Sequence, residues 1–369
     1  MSLLSIIIPV YNGEKYIRET IRHIQHSTYT DLEIVIINDG STDSSKQILE
    51  DEAKNDSRIV IYSKENAGVV SARNYGVEKA RGEYICFVDQ DDIVKPLMYE
   101  KMMKKIKLEK SEICMCSSGR SVNGKESSYD VWEDGCYEKE EILNKIILPI
   151  LFIGYRVPID YARGNHYPHI WTCVFKKDFW LRNKIMFRAY INFEDDFLVK
   201  VETLSLANRV SIVSYVGYIW RINLNSETYA HHYVEDIGYK QQLCYEDILS
   251  SLKNTKVNEH TISLLKKVIY CKQYVEAVHN ITSSEIKKSR KEIVTYYQKN
   301  IYMRDFENVI KGRAFLLKGR IKPKVILSLL AKRCTMCSYL AELFLNAMLW
   351  ISLHFQILVL LERKIKSST

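Results

Sequence analysis

The sequence predicts an α/β fold: a mostly parallel sheet flanked by helices, followed by a helical C-terminal extension. Three observations predict it. Over the first hundred residues, short β-branched runs alternate with helical patterns, the order that a parallel sheet covered on both faces produces. Three of the polar loops there follow directly on such runs: Pro9-Val10-Tyr11-Asn12, Asn38-Asp39-Gly40-Ser41-Thr42-Asp43 and Asp89-Gln90-Asp91-Asp92. Beyond residue 235 the chain becomes Lys-rich, with Tyr and Leu at helical spacing through about 310.

The elements follow in order. Met1-Ser2-Leu3-Leu4-Ser5-Ile6-Ile7-Ile8-Pro9 lacks a basic leader and its apolar run is too short for a signal peptide, so it reads as the first strand. Strands are expected at Ser5–Val10, Glu33–Ile37, Arg58–Tyr62 and Tyr84–Val88, and helices near Glu14–His26, Ser44–Asp56 and Gly68–Lys79. Asp43 or Ser44 suits the cap of the second helix, and Gly82 a turn before the fourth strand. From about 110 to 230 the pattern is mixed, with few clear helices; Cys114 and Cys116 alternate as strand residues do. The very polar segment 281–300 reads as one solvated helix or a helix pair. There is no internal repeat and no low-complexity linker. The expected organisation is a catalytic-type domain over 1–230 and a helical region over 231–369.

Composition narrows the class. The 369 residues suffice for one large core and an appended domain. Residues 311–369 hold eleven Lys/Arg against two Asp/Glu, more than the whole net charge of +8, so the other 310 residues sum to −1. The basic excess therefore belongs to the tail and gives no reason to expect nucleic acid binding. Nine scattered cysteines read as reduced thiols in a cytoplasmic compartment, and Cys334 with Cys337 is a CxxC lacking a second ligand pair for zinc.

In a parallel sheet the carboxyl ends of neighbouring strands converge on one crevice, where ligands bind. That gathers Tyr11, Asp39 and the cluster Asp89-Gln90-Asp91-Asp92. A ring that stacks, an acid that accepts from a base N–H and a carboxylate that shares a divalent cation with phosphates are what a nucleoside diphosphate needs. Between them lies Glu65-Asn66-Ala67-Gly68-Val69-Val70-Ser71-Ala72-Arg73-Asn74-Tyr75-Gly76, where Arg73 can aim a guanidinium at a phosphate or ribose. Taken singly, Tyr11 also reads as core packing, Arg73 as a helix-surface ion pair, and Asp39 as an Asx turn with Gly40.

Together the four segments resemble the nucleotide-binding half of inverting family 2 glycosyltransferases of the GT-A fold, closely over residues 3 to about 100 and more loosely over 165–230. The resemblance implies that Tyr11, in the loop opened by Pro9, stacks on the base and that Asp39 bonds its N3–H. It further implies that Arg73 faces the donor, that Asp89 meets the ribose, and that Asp91 meets a Mn²⁺ or Mg²⁺ ion and the diphosphate. Moving an activated sugar also needs a carboxylate to take the acceptor's proton. Phe193-Glu194-Asp195-Asp196-Phe197-Leu198, after Trp171-Thr172-Cys173-Val174-Phe175-Lys176, resembles the acceptor half, which makes Asp195 the base and Glu194 its acceptor-positioning neighbour. An acid-rich helix start explains the same residues without catalysis. Tyr218-Ile219-Trp220-Arg221 and Ser226-Glu227-Thr228 resemble the family's Tyr-x-x-Arg…Ser-x-Thr stretch, with Arg221 near the diphosphate; His231 and His232 read as a solvated pair. Cys173 departs from the pattern, since many relatives carry lysine there.

Tyr339–Leu361 is long and apolar with basic flanks, and four of its five polar residues share one third of a helical wheel. It is expected to lie on the cytoplasmic membrane face rather than to span it. The expectation is thus transfer from a nucleoside-diphosphate sugar, a UDP-sugar first of all, to a glycan or lipid-linked acceptor in surface polysaccharide synthesis, with self-association open. Two rivals are a noncatalytic sugar-nucleotide-binding scaffold and a nucleotidyltransferase, the latter disfavoured because Pro9-Val10-Tyr11-Asn12-Gly13 is not a Gly-rich phosphate loop.

Overall fold

A computed structural model of the chain describes residues 3–152, 166–190, 195–222, 233–282, 288–301, 336–337, 339–341 and 343. The chain divides into two compact units, one comprising Met1–Gly154, Ile159–Ser226 and Leu243–Glu259, the other Tyr155–Pro158, Glu227–Gln242 and His260–Thr369.

The first unit is built on one ten-stranded sheet. Its first half follows the βαβα pattern: β1 (Leu4–Val10), α1 (Ile17–Gln25), β2 (Leu32–Asp39), α2 (Ser45–Asn55), β3 (Ile59–Lys64), α3 (Gly68–Lys79) and β4 (Tyr84–Phe87). β3, β2, β1 and β4 lie side by side and parallel. β1 and β2 are buried at every position, so they read as unbroken apolar runs rather than alternating ones. The Asp43 carboxylate accepts the Ser45 N–H at 2.9 Å and so caps α2.

The second half is mixed, not parallel. It comprises β5 (Ile93–Val94), α4 (Met98–Glu109), β6 (Ile113–Val122), β7 (Lys125–Asp130), β8 (Gly135–Glu138), α5 (Lys139–Ile142), α6 (Leu148–Leu151), β9 (Cys173–Lys176), α7 (Lys177–Arg182), α8 (Asp195–Leu206) and β10 (Arg209–Arg221). The strand order continues from β4 through β9, β6 and β10 to β5; β9 is antiparallel to both β4 and β6, while β10 runs parallel to β6. Antiparallel pairing frees β9 from the crossover connection that parallel neighbours require. The main core packs α1 and α4 on one face through Ile17, Ile21, Ile24, Met98, Met102 and Ile106, all buried.

α9 (Ile237–Ser251) begins in the second unit and ends in the first, and the second unit also holds α10 (Glu259–Asn280), but for its first residue, and α11 (Arg290–Tyr296). The polar 288–301 segment still buries Ile293, Tyr296 and Tyr297, and Asn280 ties Val234 to the Tyr296 hydroxyl, donating to the latter at 2.9 Å. Ser289 and Glu292 form a capping box at the start of α11. Among the described residues no helix is long and apolar enough to cross a membrane. The tail 344–361 lies outside the described residues, as do Glu194, Ser226, Glu227, Thr228, His231 and His232.

Candidate functional site

The carboxyl ends of β1, β2 and β4 carry the three polar loops, and side-chain bonds lock them together. Gln90 clamps the loop after β1: its Oε1 accepts the Tyr11 N–H and its Nε2 donates to the Tyr11 carbonyl, both at 3.0 Å. This clamp leaves the Tyr11 ring exposed beside the crevice rather than in the core. A Cβ at Gly13 would lie 2.4 Å from the Gln90 Oε1, so any side chain there would displace this clamp. Asn12 reaches the second loop, accepting the Thr42 N–H at 2.8 Å. Pro9 is buried within β1 and serves to aim this loop.

Asp39, the last residue of β2, is 2% exposed. It does not form the Asx turn; Asn38 does, accepting the Ser41 N–H at 3.0 Å. The Asp39 carboxylate caps α3, taking the N–H groups of Gly68 at 2.8 Å and Ala67 at 3.2 Å, and it pairs with Lys64. Lys64 faces Asp39 because the β2–β3 register makes them partners, a contact that sequence reading did not anticipate. Gly40, at φ +74°, approaches Asn66 too closely for any side chain.

Arg73 is the hub. Helix α3 turns Ala72, Arg73, Gly76 and Val77 inward, so Arg73 is buried and not on the helix surface. One terminal nitrogen donates to Asp195 and Asp196, each at 2.7 Å, and the other to Asp89 at 2.9 Å. The guanidinium lies 5.2 Å from the Phe187 ring centroid, and its Nε has no hydrogen-bond partner. Phe187 is held by a reciprocal pair with Asn74, at 2.9 and 3.0 Å. Arg188, paired with Asp247 and Glu202, and Tyr190, bonded to Asp247, fix the chain that leads to α8.

The acids divide by environment. Asp92 is buried and structural: it accepts the Tyr218 hydroxyl and the Arg221 N–H, both at 2.8 Å, pinning β10 to the end of β4. The Tyr218 hydroxyl in turn accepts the Asp89 N–H at 3.1 Å. Arg221 donates from Nε to the Asp91 carbonyl at 2.8 Å and pairs with Glu19 at 3.0 Å. Burial pushes the Asp91 carboxyl up to about 6, and the neighbouring Asp89 adds to the effect. Burial also raises Asp195, and raises Asp196 to about 7, while Arg73 pulls both back. Asp196 has both oxygens engaged, with Arg73 and, at 3.4 Å, the Ile170 N–H. Asp195 meets Arg73 through one oxygen.

Carboxylates thus outnumber guanidinium groups at this edge, and Asp91 has no basic side chain bonded to its carboxylate among the described residues. An oxygen-only, negatively charged position suits a hard divalent cation. Among the described residues no three His, Cys, Asp or Glu side chains group closely enough to cage a metal. Deeper in the same unit, Lys200 is wholly buried and donates to Cys173 Sγ at 2.5 Å and the His169 carbonyl at 3.2 Å. A lysine thus approaches position 173 from α8.

The mixed sheet with an acidic crevice at its carboxyl edge is the fold of the GT-A glycosyltransferases. Residues 5–169 match the family model for Glycosyl transferase family 2. Among curated relatives, the uncharacterized glycosyltransferase EpsJ of Bacillus subtilis is 30% identical over 227 residues, 61% of this chain and 63% of that one. The glycosyltransferase GlyG of Streptococcus pneumoniae is 36% identical over 152 residues, 39% of this chain and 50% of that one. The chain therefore spans about half to just under two thirds of these relatives' length. A crystal structure of S. aureus TarS residues 1–349 in complex with UDP-GlcNAc superposes with a TM-score of 0.62 at 20% identity, over 93% of this chain and 89% of that one.

Proposed function

We propose that the protein is a metal-dependent, inverting glycosyltransferase that moves a sugar from a nucleoside-diphosphate donor, a UDP-sugar first of all, to a glycan or lipid-linked acceptor in surface polysaccharide synthesis. The observation that carries this reading is the gathering of Asp89, Asp195 and Asp196 on one buried guanidinium beside Asp91, at the edge that also presents Tyr11 and Asp39. Tyr11 stacks on the base, with Pro9 setting its loop, and Asp39 accepts a base N–H in exchange for part of its bonding to Lys64 and α3. Asp89 meets the ribose, and Arg221 braces the loop that faces the diphosphate.

Asp91 holds the Mn²⁺ or Mg²⁺ ion, which when bound supplies charge compensation for the leaving diphosphate. Asp195 accepts the proton of the acceptor hydroxyl, with Glu194 aligning the acceptor. The freed oxygen pair forms the new bond at the anomeric carbon, and the bond to the diphosphate breaks with its electron pair leaving on the nucleotide. Attack opposite the leaving group inverts the anomeric centre. The functional domain is 1–230, and 231–369 serves attachment, with 339–361 on the inner membrane face.

The deciding experiment is a donor panel scored by nucleotide release, with Mn²⁺, Mg²⁺ or excess chelator. Release from a nucleoside-diphosphate sugar that needs added metal is expected. Binding of UDP without turnover of any donor would favour the scaffold reading, and full turnover in chelator would remove the metal from Asp91. Flotation with anionic vesicles tests attachment: failure of the full chain to float would remove the membrane assignment.

A further inference from the structure

We infer that Arg73 is a positioning residue for the base: it fixes Asp195 from the donor side of the crevice and is not itself a ligand of the donor phosphates. The inference rests on the reading of Asp195 as the base. Its grounds are geometric. The two terminal nitrogens of Arg73 are committed to Asp195, Asp196 and Asp89 at 2.7–2.9 Å. The side chain is 6% exposed and lies against Phe187, whose backbone is clamped by Asn74. To reach a phosphate through those nitrogens, Arg73 would have to release the buried Asp195 or the half-buried Asp196 and Asp89, each of which would then lose this cationic partner. A planar fork bonded to three acids is instead suited to holding them in fixed relative positions.

The arrangement also divides labour between the two acids that open α8. Asp196 is fully occupied by Arg73 and the Ile170 N–H, so it anchors the helix start to the segment before β9. Asp195 meets Arg73 through one oxygen, and the other is the one assigned to the proton. Arg73 therefore links β4, through Asp89, to the first turn of α8, and sets how far the proton acceptor stands from the donor pocket. The positioning role requires a fork: a lysine supplies one compact charge and cannot align three carboxylates at once.

The test uses the full chain with Arg73→Gln and Arg73→Lys. UDP affinity is read by calorimetry in Mg²⁺ or Mn²⁺, turnover by nucleotide release at saturating donor, and the first turn of α8 by amide hydrogen exchange. The expected result is UDP affinity within about threefold of the parent, turnover lower by about 100-fold for Arg73→Gln and about tenfold for Arg73→Lys, and faster exchange at the amides following Asp195. Partial recovery of Arg73→Gly by added guanidinium ion is expected as well. Loss of UDP or donor affinity with turnover of the saturated enzyme unchanged would overturn the inference and make Arg73 a donor ligand. Unchanged exchange in α8 would overturn it independently of turnover. A parent protein that binds UDP but turns over no donor refutes the reading of Asp195 and is recognised separately, because the exchange measurement does not depend on activity.

Discussion

Two buried tyrosines provide a matched pair for weighing the polar link between β4 and β10. Tyr218 and Tyr99 are both fully buried. The Tyr218 hydroxyl donates to Asp92 at 2.8 Å and accepts the Asp89 N–H at 3.1 Å. The Tyr99 hydroxyl lies near the Cys86 thiol without a hydrogen bond of good geometry. Tyr218→Phe removes a bond to a carboxylate, worth about 1.5–3 kcal/mol, and a second to a partly buried N–H, worth about 1 kcal/mol. Water recovers part of the second, so the expected loss is about 2–3 kcal/mol. For a unit of this size that lowers Tm by about 5–10 °C. Tyr99→Phe deletes an oxygen that forms no such bond, so its Tm should stay within about 2 °C of the parent. The assay is thermal unfolding of the three full-length proteins side by side in the same buffer. Equal shifts for the two variants, or a larger one for Tyr99→Phe, would refute the claim that Asp92 and Asp89 are held through the Tyr218 hydroxyl.

Asp195→Asn should lower turnover by roughly two to four orders of magnitude while UDP binding persists; a fall in UDP affinity with turnover intact would assign Asp195 elsewhere. Gly76→Val should destabilise by roughly 2–3 kcal/mol, because a Cβ there would stand 2.3 Å from Ile7 Cγ2 where α3 packs on β1; urea unfolding at unchanged stability would show that the helix can shift. Glu33 is pushed up by burial but held below its ordinary value by Ser5 and Arg81, so its contribution is present above the unfolded glutamate value near 4.3 and fades as pH falls below it. The stability gap between the parent and Glu33→Gln, measured by urea unfolding, should therefore be larger at pH 7 than near pH 3, and a gap that widens in acid would reverse the sign.

The first four strands were legible because each is an unbroken β-branched run closed by turn residues. α3 begins and ends at Gly68 and Lys79, as its pattern indicates. The second half of the sheet was not, since β5 has only two residues and β9 only four; strands that short are defined by their neighbours. Tyr11, Asp39 and the Asp89–Asp92 loop were placed at one edge by the rule that parallel strands end together. The partnership of Asp92 with Tyr218 was hidden, because it depends on the Ile93–Ile219 register of an antiparallel pair far apart in sequence. Arg73 was legible as a guanidinium aimed into the crevice, but its bonds to Asp195 and Asp196 were not, because they join α3 to a helix start 122 residues away.

The contacts that close the crevice also set when it can exist during synthesis. Arg73 meets Asp195 across 122 residues and Asp92 meets Tyr218 across 126. β1 to β4, by contrast, are all in hand by residue 87. At about 5–20 residues per second, the ribosome takes roughly 5–27 s to pass from the end of β4 to α8 and β10. Throughout that interval the nascent chain holds the β1–β4 edge with Arg73 and Asp89 but neither α8 nor β10. Assembly of the acidic cluster is thus ordered by translation: Arg73 and Asp89 are made first, and Asp195 and Asp196 join them only when α8 docks.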